Sequence, residues 1–132
     1  MGTPELTTPR LRKPLTGDLH VKLPHSTNRR AWLRTAMGGD NPRPEWQRDD
    51  HMIGGGYWVI PSDCADSLIR SIITEFGECD VWDEYQGSQP TPGSLLTRLG
   101  DGAGTVSLRT GVHARRFTAT EADLDRIDGQ VA

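Results

Sequence analysis

Apolar and polar positions alternate with two periods along this chain, and the helical one is strongest between Ser62 and Gly77. There Ala65, Leu68, Ile69, Ile72, Ile73 and Phe76 recur at helical spacing and form one apolar stripe. Ser62 precedes the stripe as an N-cap, Asp63 complements the positive end of the helix dipole, and Gly77 offers a left-handed stop. The spacing predicts a helix over 62–76. Trp32, Leu33, Ala36 and Met37 repeat the period between the cap formers Ser26-Thr27-Asn28 and the stop Gly38-Gly39, which predicts a helix over 28–37.

The two-residue period marks the strands. His20–Leu23 alternates and ends at Pro24, Tyr57–Ile60 is aromatic and β-branched and ends at Pro61, and Cys79–Tyr85 alternates apolar with acidic side chains. A further strand is expected around Trp46. Thr105–Leu108 and Val112–Phe117 read as a hairpin, and Ser94–Leu99 as one helical turn. Thr118-Ala119-Thr120-Glu121 has capping-box spacing before a short last helix with Leu124 and Ile127 on its apolar edge. No internal repeat is visible.

The order β-α-β-β-α-β through the middle predicts an α+β protein: a small mixed sheet with two packed helices. That order suits a ferredoxin-like split βαβ, and a layer with fewer strands is the alternative. Residues 1–18, punctuated by Pro4, Pro9 and Pro14, are expected to be a disordered basic arm. Residues 19–86 form the expected core, and 87–132 a loop, hairpin and short helix packed on it.

Composition narrows the class. Only 34% of the 132 residues are apolar, with nine prolines and fifteen glycines, so order should concentrate in the middle. Met1 to Asp18 lacks the apolar run of a secretory leader, and no stretch reaches the ~20 apolar residues of a membrane helix. A cytoplasmic protein with no membrane partner is expected. Cys64 and Cys79 read as free thiols, a single disulfide being the alternative. Lys13 and Lys22 are the only lysines among the basic residues. Such arginine preference suits a GC-rich genome, for example an actinobacterium or one of its phages.

The formal charge of −3 hides segregation. Residues 1–48 carry nine cations against four acids, whereas residues 49–86 carry nine acids against Arg70 alone. Residues 87–117 are basic again and the tail is acidic. Such blocks either pair within the chain or face different partners.

No catalytic or cofactor motif emerges. His51, Cys64 and Cys79 are ligand types near Asp49 and Asp50, but they lack paired metal spacing, so no metal or other cofactor is expected. Cys64 near a helix start would need His51 or His113 as its base, and nothing in the sequence aligns them; a packing role is preferred. Asp80 and Glu84 share one face of their strand, which reads as a solvated or arginine-paired face. Gly54-Gly55-Gly56 precedes a strand and lacks the Lys-Ser/Thr of a phosphate loop.

Two binding readings remain, both non-enzymatic. The leading expectation is a protein partner, with the chain as a regulator or inhibitor. Trp32, Trp46 and Trp58 would be its anchors and Asp80, Asp83 and Glu84 its electrostatic patch. The alternative is nucleic acid, bound through Arg10, Arg12 and Lys13 of the arm and Arg29, Arg30 and Arg34 of the first helix, with Arg115-Arg116 as a second basic point. The net charge counts against broad, non-specific DNA binding. Oligomeric state is left open.

Arg43-Pro44-Glu45-Trp46, a hydrophilic loop, Tyr57-Trp58-Val59-Ile60-Pro61 and a helix ending Phe76-Gly77 together resemble the small HARP-type domain attached to annealing helicases. They also resemble short proteins of actinobacterial plasmids and phages. The resemblance covers about a quarter to a third of the chain. It implies an accessory module that contacts branched or single-stranded DNA and has no catalytic residue of its own.

Overall fold

The computed structural model describes residues 8–24, 29–38, 44–49, 55–86 and 94–129. Among these residues the two sequence periods appear as seven strands and four α-helices. The strands are β1 (Arg10–Lys13), β2 (Leu19–Lys22), β3 (Glu45–Arg48), β4 (Gly56–Ile60), β5 (Glu78–Gln86), β6 (Thr105–Arg109) and β7 (Val112–Thr120). The helices are α1 (Arg29–Met37), α2 (Ala65–Phe76), α3 (Leu95–Leu99) and α4 (Glu121–Gly129). All strands join one mixed sheet in the order β3-β4-β2-β1-β5-β7-β6. Every pairing is antiparallel except β1 with β5.

Alternation decides the layers. Leu11, Leu19, Val21, Ile60, Cys79, Val81 and Ala119 lie on one face of the sheet and are buried in a single core. Leu33 and Met37 of α1, the Leu68–Ile73 stripe of α2, Leu95, Leu96 and Leu99 of α3, and Leu124 and Ile127 of α4 fill the other side of that core. Among the described residues the helices therefore cover one face of the sheet, and none of them covers the opposite face. Short polar ties fix the helix layer. Ser67 Oγ donates to the Ala36 carbonyl at 2.8 Å, and the Asp66 carboxylate accepts the Leu95 and Leu96 amides at 3.0 and 3.2 Å.

Several expectations are corrected. The arm is not disordered over 10–13, because β1 sits at the sheet centre with Leu11 fully buried; residues 1–7 lie outside the described residues. One buried leucine in a four-residue strand leaves no period to read, and β1 is held by backbone pairing on both sides. The four-stranded ferredoxin-like order does not form either, since β1 intervenes between β2 and β5. The section after Gln86 has the hairpin β6–β7 and a helix on the core, and β7 also extends the sheet, with nine register pairs binding it to β5.

Helix ends also shift. Ser62 makes no capping bond, and Ser62–Cys64 is a 3₁₀ turn leading into α2. Gly77 does end α2 in the left-handed region (φ 87°), donating its N–H to Ile73. The last helix is capped by Thr120 with Asp123, not by Thr118 with Glu121: the Thr120 amide and hydroxyl both reach Asp123 Oδ2, at 2.9 and 3.1 Å. The expected cap cluster 26–28, the turn 41–43 and the loop 87–93 lie outside the described residues.

Candidate functional site

The open face of the sheet carries two cross-strand rows set by register. Lys22, Arg10, Asp80 and Thr118 form one row; His20, Arg12, Trp82 and Arg116 form the next. Tyr57 of β4 closes one end, its ring 4.4 Å from that of His20. These residues, with Asp49 at the rim, line a shallow depression of about 840 Å³. Four cations face it against two carboxylates, on a chain whose net charge is −3.

The cations differ in how far they are engaged. Arg12 donates to Glu84 Oε1 at 3.0 Å, and Glu84 also accepts the Leu15 amide at 3.2 Å. Lys22 is nearly buried, and burial together with the Arg10 charge pushes its ammonium below its ordinary pKa while Asp49 opposes the shift. Arg10 and Arg116 are exposed and make no ion pair among the described residues. Arg116 lies over the indole of Trp82, its Cζ 4.0 Å from the ring centroid. The Trp82 Nε1 donor is shielded from solvent and lacks a hydrogen-bond partner among the described residues. His20 is pushed below its ordinary pKa first by burial and then by Arg12, against the pull of Asp18 and Glu84.

The residues singled out from the sequence do not gather on one surface. Among the nucleic-acid candidates, Arg10 and Arg12 reach the open face. Lys13 points to the helix side, 3.9 Å from Asp83. Arg30 and Arg34 lie in the helix layer, Arg30 over Trp58 at 5.6 Å, and the Arg29 side chain is outside the described residues. Among the protein-partner candidates, Trp32 packs edge-on against Phe76, and Trp58 packs on the core and edge-on against Trp46. Trp46 remains 43% exposed.

The acidic patch is largely consumed within the fold. Asp83 is 2% exposed and takes Arg115 Nε at 3.0 Å. Glu84 is held by Arg12, and Asp80 accepts the Thr118 hydroxyl at 2.7 Å.

His20, Lys22, Tyr57, Trp82 and Arg116 were not among the candidates named as binding residues, except that Arg116 shared a basic point with Arg115. The strand period separates that pair. It sends Arg115 inward to Asp83 and Arg116 outward, and it places Trp82 with Asp80 and Glu84.

The thiols have no visible reactive role. Cys64 and Cys79 are buried and free, and burial raises both, Cys79 to about 12. No group of three His, Cys, Asp or Glu suited to a metal occurs among the described residues, and none of their helices is long and apolar enough to cross a membrane. No protein-family model, curated protein or solved structure matches the chain.

Proposed function

We propose that this protein is a non-enzymatic binding module whose open sheet face takes a single-stranded nucleic acid. The observation that carries the reading is the row of Arg12, Trp82 and Arg116 beside Arg10, which makes no ion pair among the described residues, all on the sheet face that the described helices leave bare. Phosphates bind guanidinium groups, and unpaired bases stack on rings that a sheet presents side by side. A broad sheet face does not enter the major groove of a duplex, which favours single strands. The HARP-type resemblance points to the same ligand class.

Titration of labelled single-stranded and duplex oligonucleotides across a salt series, read by fluorescence anisotropy, tests this. Binding should prefer the single strand. Arg10→Gln with Arg116→Gln should weaken it and reduce the salt slope by roughly 0.7 per lost phosphate contact. Neither residue has an ion-pair partner among the described residues to strand. Arg30→Gln with Arg34→Gln, on the other layer, should leave binding near wild type. Equal loss from both pairs, or no binding at low salt, rejects the reading.

A second reading, a protein partner, keeps one specific support. Trp46 is exposed on β3, an edge strand whose four residues are all exposed. A partner captured by the wild-type chain and lost with Trp46→Ser would favour it.

A further inference from the structure

We infer that Trp82 is the base-stacking platform of the open face, and that Arg116 occupies it in the free protein as a stand-in for the base. This rests on the single-stranded nucleic-acid reading and names how that ligand is held.

The indole lies mid-sheet between Arg12 and Arg116 in register, so a base stacked on it has a cation on either side. The Arg116 guanidinium is planar, exposed and free of any carboxylate among the described residues; it lies 4.0 Å from the ring centroid, where an aromatic ligand would stack. No other contact among the described residues holds Arg116 there. Exchange therefore costs one cation–π contact. It returns a base–indole stack and a guanidinium–phosphate pair.

Trp82 Nε1 adds an independent pointer. It is a shielded donor with no partner among the described residues, which native proteins rarely leave without a reason. A ligand oxygen reaching it would supply the missing acceptor. The other ring pair on this face, His20 and Tyr57, already has its rings in contact at 4.4 Å and a tilt of 31°, and carries no such orphan donor among the described residues.

The test compares a labelled oligothymidylate with an abasic deoxyribose-phosphate chain of the same length, both titrated by anisotropy. Stacking one base on Trp82 should make wild type bind the oligothymidylate roughly 5- to 150-fold more tightly than the abasic chain. Trp82→Leu should bring that ratio to about one while abasic binding persists. Arg116→Ala should weaken binding of the abasic chain yet keep or raise the ratio, because the platform is vacated; this variant keeps the test valid if Trp82→Leu does not fold. A ratio that survives Trp82→Leu moves the stacking elsewhere and overturns the inference. A ratio lost in Arg116→Ala means the base stacks on arginine, and overturns the exchange. If neither chain binds wild type, the nucleic-acid reading itself fails and takes the inference with it.

Discussion

Arg115 is a buried cation with four described acceptor contacts. It reaches Asp83 through Nε and Nη2, at 3.0 and 2.9 Å, and the Leu96 and Thr97 carbonyls of α3 at 3.1 and 3.3 Å. Gly100 makes room for it, since a Cβ there would lie 2.4–2.7 Å from the guanidinium. Breaking a buried pair strands its partner, so Arg115→Ala should cost about 3–5 kcal/mol in urea unfolding at pH 7. Burial raises the Asp83 pKa, outweighing the opposing pull of Arg115 and Lys13. A carboxyl raised in the folded state binds its proton more readily there than when unfolded. Its contribution therefore falls as pH rises through the window just above 3.8. The Arg115→Ala deficit should shrink as pH falls towards 3.8, where protonation relieves the stranded carboxylate.

His20 runs the opposite way. Its folded pKa lies below 6.5, so the unfolded chain binds the proton first as pH falls. Its contribution to stability is complete above 6.5 and is lost downward through the folded pKa. His20→Gln should flatten the pH dependence of urea midpoints in the window below 6.5. An unchanged slope would show that the imidazole is not held neutral by its site.

At the scale of elements, α2 and α4 form for different reasons. The α2 stripe buries Leu68, Ile69, Ile72 and Ile73 completely, so packing dominates its stability. The α4 helix has only Leu124 and Ile127 in the core and leans on its cap. Thr120→Ala removes the hydroxyl that donates to Asp123 and should cost about 1 kcal/mol in a thermal melt. Thr120 wins the cap because β7 continues to it in register with Glu78, so the strand ends there and the helix begins at the next residue.

For the whole molecule, β1 joins two halves. It pairs with β2 on one side and β5 on the other, and the Pro9 carbonyl accepts the Asp80 amide at 2.9 Å. Leu11→Ala should therefore destabilise by about 2–5 kcal/mol, as Leu68→Ala should, in matched urea titrations. A loosely attached arm would instead tolerate the change. The same strand brings Arg10 and Arg12 to the open face and sets Arg12 against Glu84, 72 residues away. Without β1 in the sheet, the proposed binding surface would lose its central cations.

The sequence by itself determined what depends on neighbours along the chain. The stripe of α2, the stop at Gly77, the alternation of β5 and the hairpin of β6 with β7 are local patterns, and each formed where those patterns lie. Alternation also carried a signal for the site, since it separates Arg115 from Arg116 and groups Trp82 with Asp80 and Glu84. Only the tertiary structure decided which strands became neighbours, and so which face stayed open and which charges paired inside. A four-residue segment such as Arg10–Lys13 carries too little apolar surface to declare itself, and its place comes from hydrogen bonds to both neighbouring strands. The basic and acidic blocks likewise hold charge without direction, and the fold spent Asp83 and Glu84 on arginines while leaving Arg10 and Arg116 to solvent.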